Sequence, residues 1–111
     1  MFAFEKEAVQ RITKKLKKIL GKELVTVIAY GSRVRGDFSE ESDFDILVVV
    51  RKRTFAMIDK INHLFANEEE TAGIPFSVVV KAADLFEKEK AYKTMFYRSI
   101  KEEGLVLHGR A

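Results

Sequence analysis

The stretch Leu24-Val25-Thr26-Val27-Ile28-Ala29-Tyr30-Gly31-Ser32-Arg33-Val34-Arg35-Gly36-Asp37, followed after a short polar gap by Ser42-Asp43-Phe44-Asp45-Ile46-Leu47-Val48-Val49-Val50, decides how this chain is read. Both apolar runs are rich in β-branched residues and short enough to be strands. Leu24 to Tyr30 ends on Gly31-Ser32, so a tight turn follows the first strand directly. Phe44 to Val50 is the second strand, and it carries an Asp-x-Asp pair at its start.

Side chains on a strand alternate between faces. Asp43, Asp45, Leu47 and Val49 therefore share one face, and Phe44, Ile46, Val48 and Val50 share the other, which is the expected core face. Carboxylates at i and i+2 have Cα atoms about 6 to 7 Å apart. Their oxygens can converge on one hard cation, or bracket two that lie roughly 4 Å apart. Two adjacent like charges are costly unless a cation offsets them. The glycine allows close backbone approach to a ligand. A helical turn beginning at Ser32 would present free N–H groups and a hydroxyl to a phosphate. Arg33 and Arg35 can add charge at a β- or γ-phosphate, and Gly36-Asp37 can turn the loop back toward the aspartates. Taken singly, Gly-Ser is an ordinary turn and Asp-x-Asp an ordinary loop-to-strand boundary. In this order and on these elements, they form the minimal set for holding a nucleoside triphosphate with its magnesium ions.

Outward from this stretch, the pattern predicts a helix from Phe4 to Leu20, with Ala8, Ile12, Leu16, Ile19 and Leu20 as its apolar stripe and Gly21 as its stop. A second helix is expected over Thr54 to Ala66, with Phe55, Ile58, Ile61 and Phe65 on one face. Ile74 to Val80 reads as a third strand opened by Pro75. Ala83 to Glu103 reads as helix in one or two pieces, stopped by Gly104, and Leu105 to Leu107 as a short last strand. The order implies an α/β, more narrowly α+β two-layer, domain. It should have a mixed β-sheet, helices packed on one face and a partly open active face. The 111 residues are expected to form a single domain, residues 1–111.

Composition narrows the classes. The hydrophobic share is 47% and the charged share 33%, as in soluble globular proteins. No apolar run is long enough to span a bilayer, and the N-terminus lacks a signal-peptide pattern. There is no cysteine, hence no disulfide framework or thiolate metal site. The expected location is the cytoplasm. The net charge of +3 is mild and interleaved with acids, so it does not by itself indicate nucleic acid. Abundant Lys and Glu with little Asn or Gln is the bias of thermophile proteins, for which a high melting temperature is the check.

The Gly31-to-Asp37 and Ser42-to-Val48 segments resemble the signature of the nucleotidyltransferase superfamily whose fold is named after DNA polymerase beta. They look like the version in minimal nucleotidyltransferases. These are short stand-alone domains, many of them the antitoxin half of a two-gene module with a helical HEPN toxin. The resemblance covers nearly the whole chain and includes the tail Tyr97 to Leu107. It implies transfer of a nucleoside monophosphate from a triphosphate, with ATP the expected donor, to a hydroxyl. Two magnesium ions would serve the reaction. In the antitoxin branch the acceptor can be a tyrosine of the toxin. Gly31 and Ser32 would then hold phosphates, and Asp43 and Asp45 would ligate the metals and be the catalytic pair. The chain is too short for the extra helical domain that selects an acceptor in larger members, so a separate acceptor protein is implied.

One departure bears on catalysis. The superfamily usually adds a third carboxylate from a neighbouring strand, and the strand Ile74 to Val80 places Ser77 there. A hydroxyl is a weak magnesium ligand and a poor base, so the second ion would either bind weakly or be completed by water, a partner residue or another acid. Asp37, Asp84 and Glu68-Glu69-Glu70 are the other acids to consider. A catalytically silent antitoxin or binding module of the same fold is the alternative.

The remaining features have plainer readings. Arg11, Lys14, Lys15, Lys17, Lys18 and Lys22 read as a solvated face of the first helix, with RNA or an acidic partner as the functional option. Glu68 to Glu70 read as a helix end in solvent. His63 and His108 lack partner spacing. Tyr92, Met95, Phe96 and Ile100 read as core. Nine phenylalanines leave room for a homodimer or partner surface.

Overall fold

The computed structural model describes residues 2–36 and 43–111. The elements run α1 (Ala3–Leu20), a 3-10 turn (Gly21–Glu23), β1 (Leu24–Tyr30), α2 (Ser32–Arg35), β2 (Phe44–Val50), α3 (Phe55–Ala72), β3 (Phe76–Ala82), α4 (Ala83–Tyr92), α5 (Met95–Glu103) and β4 (Leu105–His108). The two strands that flank the decisive loop begin and end where their β-branched runs do.

The sheet order is β3-β2-β1-β4. β1 pairs antiparallel with β2 and with β4, whereas β2 and β3 are parallel. The sheet is therefore mixed and the domain α+β, as expected. A parallel pair needs a long crossover, and α3 supplies it between β2 and β3. Thr54 starts that helix by accepting the Met57 N–H on its side-chain oxygen at 3.2 Å. Gly73 ends it in the left-handed conformation.

Strand alternation divides the core in two. Val27, Ala29, Phe44, Ile46, Val48 and Val50 pack against Ala8, Ile12 and Leu16 of α1 and Ile61, Leu64 and Phe65 of α3. On the opposite face Ile28, Leu47 and Val49 pack with Phe86, Tyr97 and Ile100. Helices α4 and α5 thus cover part of the second face, which corrects the expectation that helices lie on one face only. Leu47 and Val49 are as fully buried as Val48 and Val50. Near-continuous apolar strands of this kind need a cover on both sides.

Further expectations are corrected. α3 runs on to Ala72, and Glu68 is buried rather than solvated. Its carboxylate takes Arg11 at 2.7 Å and Lys15 at 3.5 Å, so two exposed members of the basic set on α1 also hold α3. Burial of a carboxylate is tolerated when cations satisfy it. Tyr92 and Met95 are exposed, because Lys93 adopts a left-handed conformation and breaks the helix there into α4 and α5. The spacing is thus not that of one helix. Phe55 is also exposed, as the first residue of α3.

Candidate active site

The site forms where β1 ends and β2 begins. Tyr30 is the register partner of Asp45 across the antiparallel pair. The next residue, Gly31, turns the chain with φ 84° and ψ −168°. Its carbonyl accepts the N–H groups of Val34 and Arg35, both at 3.2 Å, which folds Ser32 to Arg35 into the single helical turn α2. Gly36 closes that turn in the left-handed conformation.

A β-carbon built on Gly31 would lie 2.2 Å from Asp45 Oδ2 and 3.2 Å from its Cγ. The glycine lets the aspartate carboxylate press against the turn. Both the positive φ and this approach exclude any other residue without rearrangement.

The charges at this corner are coupled. Burial raises the Asp45 pKa above its ordinary value, the nearby Asp43 carboxylate raises it further, and Arg35 opposes the rise. Burial also raises the Tyr30 pKa, with the charge of Asp45 adding to it. Asp43 is exposed at the mouth and Asp45 lies one layer in. Arg35 donates to Glu103 at the end of α5 at 2.7 Å.

Ser77, where a third carboxylate was expected, has a definite place. Asp45 pairs with Ser77 in the parallel ladder of β2 and β3. Parallel register places Ser77 on the same face, one strand spacing of about 4.8 Å away. Two of the other acids lie elsewhere. Asp84 follows Ala82, the partner of Val50 at the far end of the sheet, and there its side chain accepts the Leu85 N–H. Glu68 is held by Arg11 and Lys15 between α1 and α3. Asp37 lies outside the described residues. Among the described residues no three acidic or histidine side chains cluster as a metal site.

Gly31, Ser32, Arg35, Asp43 and Asp45 are therefore gathered at one corner. Arg33 is placed differently. It is buried, and its Nη1 donates at 2.7 Å to Glu5, which is itself completely buried. Glu5 also accepts the Phe2 N–H at 2.8 Å. Arg33 thus ties α2 to the start of α1. Sequence reasoning missed Glu5 as that anchor, which only the packing of α1 reveals. It also missed Tyr30, which strand alternation alone puts on the face of Asp45; its ring packs edge-on to Phe96 at 5.8 Å.

A curated protein of Methanocaldococcus jannaschii named "Putative protein adenylyltransferase" is 32% identical over 104 residues, spanning 94% of this chain and 98% of that protein. The solved structure of a toxin-antitoxin with AMP-PNP superposes with a TM-score of 0.60 at 16% identity, covering 91% of this chain and 73% of that one. Spectinomycin adenyltransferase from Enterococcus faecialis, solved with ATP and spectinomycin, gives a TM-score of 0.60 at 15% identity over 96% of this chain and 56% of its own. These two likenesses establish the fold, that of the polymerase beta-like nucleotidyltransferases. The family model of the nucleotidyltransferase domain matches residues 9–107, from within α1 to within β4 and through the whole Gly31–Asp45 corner, so this chain belongs to the nucleotidyltransferase domain family.

Proposed function

We propose that the Gly31–Asp45 corner binds a nucleoside triphosphate, ATP in the first instance, with a divalent cation, and that the domain transfers the nucleoside monophosphate to a hydroxyl of a separate protein. The close seat of the Asp45 carboxylate against the Gly31 turn carries this reading. It sets a metal-ligating group beside a turn suited to phosphate, within a family that transfers nucleotides. Burial first and the Asp43 carboxylate second raise the Asp45 pKa, and a bound cation would offset the repulsion between the two acids. The name of the Methanocaldococcus relative supports a protein acceptor, and the toxin-antitoxin neighbour supports a toxin as its kind, such as one of the HEPN class.

In the reaction the acceptor oxygen attacks the α-phosphorus. A P–O bond forms to the acceptor, the bond to the β-phosphate bridging oxygen breaks, and pyrophosphate leaves while the hydroxyl proton passes to solvent or a base. Asp43 and Asp45 would hold magnesium, which when bound polarises the phosphate and offsets the charge of the leaving group. Ser32 and the α2 backbone face the phosphates, and Arg35, near enough to influence Asp45, adds positive charge. Arg33 keeps α2 in place.

The pairing of Ser77 with Asp45 favours a second reading, a domain that binds nucleotide and partner without efficient transfer. Two measurements separate these. Thermal unfolding with ATP and magnesium tests the site: a hundredfold excess over the dissociation constant adds about 2.7 kcal/mol, on the order of 10 °C for a domain this small. The shift should require magnesium and vanish in Asp43→Ala/Asp45→Ala. Transfer of label from α-³²P-ATP to a co-purified partner then tests catalysis. Binding without transfer selects the second reading, and absence of any shift overturns the nucleotide site itself.

A further inference from the structure

A groove of about 500 Å³ runs between α1 and the edge strand β4. One wall is cationic. Lys6, Lys14 and Lys17 line it, no acid does, and none of these lysines has an ion-pair partner among the described residues. The other wall is the outermost strand, where Leu105 is 40% and Val106 41% exposed. Among the described residues β4 pairs only with β1, so its outer backbone groups have no strand against them. The opposite edge differs: there Arg53 donates to the Val80 carbonyl of β3 at 2.9 Å.

The groove leads to the active corner. Leu105 pairs with Ala29, two residues before Gly31. Lys6 follows Glu5, whose carboxylate holds Arg33 of α2. One end of the groove therefore lies beside the phosphate turn.

We propose that this groove takes an extended, acidic segment of the protein that supplies the acceptor hydroxyl, added to β4 as a fifth strand. The open edge supplies main-chain hydrogen bonds, Leu105 and Val106 supply apolar contact, and the lysines select acidic side chains. A second copy of this chain docked β4 to β4 would set lysines against lysines. Single-stranded RNA would want stacking rings, and no aromatic residue lines the groove. Three strand spacings, about 14 Å, separate a fifth strand from β2. The reacting hydroxyl then lies about four or five extended residues beyond the docked segment. The inference rests on the reading of a separate acceptor chain and specifies how that chain is recognised.

The test uses the full chain and fluorescein-labelled octapeptides of alternating Glu and Val, with Lys-Val octapeptides and an eight-nucleotide oligouridine as comparators. The Glu-Val peptide should bind at least tenfold more tightly than the Lys-Val peptide and shift the amide resonances of Leu105 to His108. Lys6→Glu/Lys14→Glu/Lys17→Glu, all exposed positions, should reverse the preference. Val106→Pro should abolish binding of either peptide by removing a strand N–H. Equal binding of both peptides, no binding, tighter binding of the oligouridine, or resonance shifts away from β4 would each overturn the proposal. An ATP–magnesium titration of the same sample, read at the Gly31 to Arg35 amides, keeps the two readings apart. Peptide binding without an ATP response leaves the groove standing and removes the nucleotide site. An ATP response without peptide binding does the reverse.

Discussion

Asp45 Oδ2 occupies the space that a β-carbon on Gly31 would need, 2.2 Å from its ideal position. This contact joins the turn after β1 to the acidic start of β2, which are fourteen residues apart in sequence. It makes the glycine a requirement of the site and not only of the turn.

Gly31→Ala is therefore expected to disturb the site on two counts, the positive φ and the displaced carboxylate. The cost in stability should be about 1–3 kcal/mol. The magnesium-ATP stabilisation should disappear even where the variant remains folded. Paired melts with and without ligand, plus a circular dichroism spectrum, check both points. A variant that melts and responds like wild type would contradict the geometry.

Asp45 carries a pH signature. Its pKa is raised in the folded chain by burial and by Asp43, so the folded state holds the proton more tightly than the unfolded state. Its ionisation thus costs stability. The cost is absent below the ordinary carboxylate range and develops as pH rises through the raised value. Metal-free Asp45→Asn should accordingly melt higher than wild type at neutral pH, and the difference should fade in acid. With magnesium and ATP the order should invert, because the wild type gains a ligand that the amide cannot hold. Melting curves across pH, with and without ligand, read both effects.

Ser77→Asp places a carboxylate beside Asp45 at the position given by the β2–β3 register. If the missing acid limits the second metal, transfer to an acceptor should rise about tenfold or more. The metal-free protein should lose stability from a third like charge. Initial rates over a magnesium titration give the answer, and a rate equal to wild type would mean that Ser77 is not limiting.

Arg33 and Glu5 form a buried pair that holds α2 against α1. Arg33→Met leaves a buried carboxylate without that cation and should cost about 3–5 kcal/mol. Adding Glu5→Gln should recover part of the loss. Urea denaturation of the single and double variants measures the coupling. Additive losses would argue against the pair.

Much of this molecule was legible in residue order. The β-branched runs of β1 and β2 fold over the bounds their composition indicates, because local propensity and strand alternation agree there. The same alternation put Asp43 and Asp45 on one face and Ser77 on the active face of its own strand, and the parallel register of β2 with β3 pairs Ser77 with Asp45. Local pattern was silent wherever a side chain's partner lies far along the chain. Glu68 reads as a solvent-facing end of a charged run, yet Arg11 and Lys15, more than fifty positions away, draw it into the interior. Arg33 reads as a phosphate ligand until α1 brings Glu5 to it. Helices α4 and α5 fold over the second sheet face because Leu47 and Val49 need apolar cover, and periodicity cannot say which face a helix will choose. The sequence by itself determined the strands, the turn and the acidic pair, since these depend on neighbours within a few residues. Tertiary structure alone decided which charges serve the fold and which face the site, because that depends on what folding brings within a few ångströms.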